Sequence, residues 1–131
     1  MLCKNRKSLM SLLLALCLLL CACGQNPPAE KLYAKLLGRI ADAGYSTTPE
    51  PVPEGMPVGF ANASHWQRLQ LGSETVLVYF DESNRADYLK SFVDPELFST
   101  VTRFGQRFVL AYNGTDETII RLLKELDQSM P

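Results

Sequence analysis

The chain opens with a basic cluster, Lys4, Arg6 and Lys7, followed by 13 almost uniformly apolar residues, 8–20. A helix needs about 20 apolar residues to cross a bilayer, so this run is short for a permanent span. Its order, basic then apolar, is that of a secretory leader. Beyond residue 28 the apolar positions become periodic. Leu32, Leu36, Leu37, Ile40 and Ala43 recur on one face, and Gly44 can close the turn in the left-handed region, so the spacing predicts a helix over 29–43. Residues 45–59 carry Pro49, Pro51, Pro53 and Pro57 with Gly55 and Gly59. That composition sustains neither a helix nor a central strand, and a stiff connecting loop is expected.

The next 70 or so residues repeat themselves. At an offset of 33 and without a gap, Leu71-Gly72 matches Phe104-Gly105, and Val76-Leu77-Val78-Tyr79 matches Val109-Leu110-Ala111-Tyr112. Each copy reads as a strand, a glycine turn and a second apolar strand, because hairpin turns need a residue that tolerates positive φ. The expected strands are 66–71 and 75–80 around Gly72, then 101–104 and 108–112 around Gly105. A helix is expected after each hairpin. The first would start at Asp81 and Ser83, run through Tyr88, Leu89, Phe92 and Val93, and stop at Asp94-Pro95. The second would be capped by Thr115, with Asp116 and Glu117 in its first turn and Ile119, Ile120, Leu122, Leu123 and Leu126 on its buried face.

A lone hairpin is marginal, so the two units must share a core. The expected fold is α+β: an N-terminal helix followed by two ββα repeats, forming a four-stranded antiparallel sheet with helices on one face. The chain then divides into a leader, 1–22, a short tether, 23–28, and one domain, 29–131, that includes the proline-rich loop.

Leu20-Cys21-Ala22-Cys23 closes the leader. It resembles the lipobox of bacterial lipoprotein precursors, in which a branched apolar residue stands three before a cysteine and a small residue directly precedes it. The resemblance implies cleavage between Ala22 and Cys23 and attachment of a diacylglyceryl group, with palmitate among its acyl chains, through the Cys23 thioether. The partner so implied is the cell membrane, gripped from its extracytoplasmic side. Residues 24–28 are too few for a long tether, so the domain would sit low on the bilayer. The other cysteines, Cys3, Cys17 and Cys21, fall in the leader. A mature chain without them excludes a disulfide scaffold and thiol redox chemistry. Removing Lys4, Arg6 and Lys7 from 13 basic residues leaves ten against 14 acidic ones, a formal balance of −4. That balance argues against nucleic acid as a partner and against a polybasic grip on anionic lipid.

Farther along, the apolar strand ending in Tyr79 and Asp81, the second hairpin with residues 109–114 and the closing Ile/Leu helix resemble a group of small lipoproteins from Gram-positive bacteria. No catalytic residue comes with that resemblance. His65 is the single histidine, with no second histidine to complete a transition-metal site. It reads as a strand-entry residue. The carboxylates Asp81, Glu82 and Asp87, with Asp116 and Glu117 in the second copy, lack the alternation of a calcium loop and read as helix caps. No cofactor is implied. If the sheet face away from the helices is open, Trp66, Gln70, Arg103 and Arg107 are the expected partner surface. The leading expectation is a membrane-anchored, non-catalytic module that binds another envelope protein. The rivals are a small envelope enzyme using the carboxylates and His65, and a structural or stress protein of the envelope.

Overall fold

The computed structural model describes residues 29–130; the leader, the Ala22–Cys23 cleavage position and the tether 23–28 lie outside them. Its elements in chain order are α1 (Ala29–Asp42), β1 (Glu50–Pro51), β2 (Trp66–Leu71), β3 (Glu74–Phe80), α2 (Ala86–Leu89), β4 (Thr100–Phe104), β5 (Phe108–Tyr112) and α3 (Glu117–Ser129). The fold is α+β, but its sheet has five antiparallel strands in the order β1-β2-β3-β5-β4, not four. The strand missing from the sequence reading is β1. It pairs Glu50 with Arg68 and Pro51 with Gln67. Two residues, one of them proline, carry no alternation to detect, and proline is tolerated there because the strand lies at the sheet edge.

The local signals explain the rest. Helix α1 ends where Gly44 takes φ +99; Gly44 N–H donates to Ala41 O at 2.9 Å and Tyr45 N–H to Ile40 O at 3.2 Å. These are the paired bonds of a glycine-closed helix end. In the first hairpin Leu71 pairs with Glu74, leaving the two-residue turn Gly72-Ser73 with Gly72 at φ +64. In the second, Phe104 pairs with Phe108 around Gly105 at φ +59.

The hairpins are alike, but the segments after them differ, and the pair of ββα repeats does not form. Strand β3 pairs with β5, and β5 with β4, so β3 and β4 run parallel with β5 between them. Residues 81–99 must therefore cross over β5, a connection that lies on one face of the sheet. It contains one turn of α-helix, α2, and a 3-10 turn at Lys90–Phe92. Helix α2 lies on the face opposite α1 and α3, so the helices are not all on one side.

Both faces are consequently buried. On one, Leu69, Leu71, Val76, Val78, Leu110 and Tyr112 pack with Leu36 and Ile40 of α1 and with Ile119, Leu122, Leu123 and Leu126 of α3. On the other, Trp66, Leu77, Val109 and Ala111 pack with Ala86, Val93 and Phe98 of the crossover and with Val52 of the proline-rich segment, which adds Met56, Val58 and Phe60 at the margin. Strand β5 sits between the two cores, and all five of its residues are buried. Its unbroken apolar run is that of a strand covered on both faces.

Candidate functional site

The proline-rich segment closes the face that the sequence reading left open. Trp66 is 1% exposed; its indole Nε1 donates to Phe60 O at 2.7 Å, and the Phe60 ring meets Trp66 and Tyr79 edge-on at 5.0 and 4.6 Å. Gly59 makes this approach possible, since a Cβ there would lie 2.8 Å from Val93 Cγ2 and 3.0 Å from Trp66. The proposed partner face of Trp66, Gln70, Arg103 and Arg107 is not one surface. Trp66 is core. Gln70, beside the Gly72 turn, is at the far end of the sheet from the two arginines; it donates to Gly72 O and accepts from Thr75 Oγ1. Arg107 Nε donates to Asp81 O at 3.2 Å, with its guanidinium 4.8 Å over the Phe80 ring. Arg103 Nε lies 3.6 Å from Asp87 and 3.8 Å from Asp127, and Lys90 Nζ bridges the same two carboxylates at 3.6 and 3.7 Å. This four-charge network ties the crossover to α3 across the β4 edge.

Asp81 and Asp116 also hold the chain together, whereas Glu82 and Glu117 stand exposed. Asp81 is 3% exposed, and its oxygens accept from Ser83 N at 3.3 Å and Arg85 N at 2.6 Å. It thereby forms the turn leading into α2; Arg85, not Asp81 or Ser83, is the cap position of that helix. Helix α3 is capped by Asp116, one residue after the expected Thr115: Asp116 Oδ1 accepts from Thr118 N at 2.9 Å and Ile119 N at 3.2 Å. Among the described residues no group of three or more His, Cys, Asp or Glu side chains could hold a metal ion.

His65 lies at a pocket. The first turns of α1, the 3-10 turn Ala63–His65, the start of β2 and the end of β3 border an open recess of about 350 Å³. Tyr33, Val78 and Phe80 supply its apolar walls, Ser64, His65 and Gln67 its exposed polar rim, and Ala29 its edge; Trp66 borders it at the start of β2, with its indole turned to the opposite face of the sheet. Tyr33 and Phe80 both stack against Phe108, at 5.1 and 5.3 Å, which anchors the floor to the core. The His65 Nδ1 lies 2.7 Å from Asn62 Oδ1. An amide oxygen can only accept, so this contact is a hydrogen bond when Nδ1 carries a proton. Ser64 Oγ bonds the same Asn62 oxygen and not the imidazole, so the two adjacent residues do not form a nucleophile and base. None of the described residues lining this pocket is a carboxylate.

The Tyr33 hydroxyl is shielded from solvent and has no hydrogen-bond partner among the protein atoms. Burial pushes its pKa up, so the phenol stays a protonated donor. Tyr33 was not among the residues read as the buried face of α1, although it stands three before Leu36 and seven before Ile40. A second recess of about 320 Å³ lies near the other end of the sheet among Met56, Leu77, Leu97 and Phe98, rimmed by Thr75 and Asn113. The crossover also presents Tyr88 and Phe92, 63% and 54% exposed and packed edge-to-face on each other at 4.9 Å. Compared with protein-family models, with curated proteins and with solved structures, the chain finds no match in any of the three.

Proposed function

We propose that this chain is a bacterial lipoprotein, anchored through Cys23 to the extracytoplasmic side of the cell membrane, whose folded part is a non-catalytic binding module for another component of the envelope. The observation that carries the reading is the placement of Leu20-Cys21-Ala22-Cys23 at the end of a basic and apolar leader. It is reinforced by the start of α1 at Ala29, the sixth residue after Cys23. At about 3.3–3.6 Å per extended residue that link reaches roughly 20 Å, so the α1 end of the domain stays at the lipid boundary. No helix among the described residues is long and apolar enough to cross a membrane; two lipid chains on one cysteine supply a stable hold where one chain is marginal. Binding suits the side chains present. Asp81, Asp87, Asp116, Asp127 and Arg103 are engaged in caps, turns and ion pairs, whereas the His65 pocket combines apolar walls with a polar rim.

The test is growth with radiolabelled palmitate, comparing the natural chain with Cys23→Ser and following both label and membrane fractionation. The natural chain should carry the label and sediment with membranes, and Cys23→Ser should carry none. An unlabelled natural chain whose leader is removed elsewhere than before Cys23 would overturn the assignment.

A further inference from the structure

We infer that the pocket between α1 and residues 62–67 takes one ester-linked acyl chain of a bilayer glycerolipid, an inference that rests on the anchor proposed above. The first argument is position. Ala29 lines the pocket edge, and the link from Cys23 reaches only about 20 Å, so the opening lies where bilayer lipids are the most concentrated apolar ligand. The second is the distribution of polarity. Tyr33, Val78 and Phe80 form apolar walls, while Ser64, His65 and Gln67 are exposed around the mouth. An amphiphile matches that order, with its chain inward and its head group at the rim. The third is size. Some 350 Å³ stands near the lower end of small-molecule pockets, about 300–1,000 Å³, enough for part of one chain and too little for a whole two-chain lipid.

The neighbouring cation, Arg107, donates to Asp81 O and lies over Phe80, and no charged side chain other than His65 is among the described residues lining the pocket.

The experiment reconstitutes the purified full-length mature protein in phosphatidylcholine vesicles containing a phosphatidylcholine with a photoactivatable diazirine in one acyl chain. Irradiation, proteolysis and mass spectrometry then locate the adducts, and the same spectra report the lipid mass on Cys23. The expected result is an adduct on Tyr33, on residues 64–67 or on residues 78–80. Gln67→Trp and Ser64→Trp each place a bulky ring at the exposed rim and should cut it at least fivefold, with circular dichroism confirming the fold. Adducts confined to Tyr88, Phe92 or the Leu97 recess, adducts undiminished by both rim variants, or no adduct at all would overturn the inference. An adduct seen in Cys23→Ser but not in the lipidated chain would assign the pocket to the Cys23 lipid itself and overturn a bilayer source. Absence of lipid mass on Cys23 would count against the anchor alone, and the pocket adduct is still read in that preparation.

Discussion

Gly59→Ala tests how the proline-rich segment is seated. A Cβ at this position would stand 2.8 Å from Val93 Cγ2 and 3.0 and 3.1 Å from two carbons of Trp66, whereas carbon atoms rest at about 3.5–4.0 Å. Both neighbours are buried and neither is the free end of a flexible side chain, so the segment itself must lift by close to an ångström. Overpacking of this kind costs about 1–3 kcal/mol. Lifting the segment also breaks the bond from Trp66 Nε1 to Phe60 O, worth about 1 kcal/mol. The combined loss is about 2–4 kcal/mol, which for a domain of this size lowers Tm by on the order of 10 °C or more. The assay is urea unfolding followed by tryptophan fluorescence, since Trp66 is the single tryptophan of the chain and sits at the point perturbed. The emission maximum of the folded variant should also move to the red as the indole gains water. A variant with the natural midpoint, within about 0.5 kcal/mol, and natural emission would refute the close seating of this segment on Trp66.

Three further outcomes are expected from the same geometry. Gly38→Ala should raise stability by about 0.5–1 kcal/mol, because Gly38 lies inside α1 with open space where its Cβ would stand; urea denaturation decides it, and a loss of stability would contradict the exposed placement. Asp116→Ala should cost about 0.5–2 kcal/mol by removing the acceptor for Thr118 N and Ile119 N, while Thr115→Ala, which leaves that cap intact, should cost less. Burial raises the pKa of Tyr33 and of Tyr112, the latter against the Asp116 amide bond to its hydroxyl and with a further rise from Glu74. Their unfolded-state values lie near 10, so above that pH the unfolded chain releases protons that the folded chain retains, and stability is full below pH 10 and lost as the pH rises beyond it. Ultraviolet titration should show Tyr33 resisting ionisation until the chain unfolds, and Tyr33→Phe should reduce the alkaline loss.

The parts of the fold that could be read from the sequence are those where period and punctuation agree. Helix α1 carries a 3.6-residue stripe and a closing glycine, α3 carries a stripe and acidic residues at its start, and Gly72 and Gly105 mark two hairpins. The α+β class followed from these. What escaped was set by tertiary placement. Strand β1 has two residues, and its pairing depends on Arg68 and Gln67 being brought beside it. The similarity of the hairpins suggested like surroundings, yet β5 inserts between β3 and β4 and turns the intervening segment into a crossover on the second face. Trp66 and Arg103 belong to a partner surface only if their sheet face is open, and strand alternation reports which way a side chain points, not whether a distant loop covers it. At the pocket, His65 was visible as a lone histidine, but its association with Tyr33, Val78 and Phe80 arises only when α1 lies beside the β2–β3 hairpin. The proline-rich segment, taken as a connector, is also a lid on the core.

The two ends of the sheet bear on how copies of this chain behave together. One edge strand contributes only two residues, and Pro51 has no N–H to offer. At the other edge, the backbone N–H of Arg103 is turned to Asp127 Oδ2 of α3 at 3.4 Å. Molecules confined to a plane collide far more often than the same molecules in bulk solution, and unpaired strand edges are the surfaces through which such collisions become permanent. For a domain tethered as proposed, a proline at one side and a carboxylate at the other oppose strand-to-strand polymerisation at these two positions.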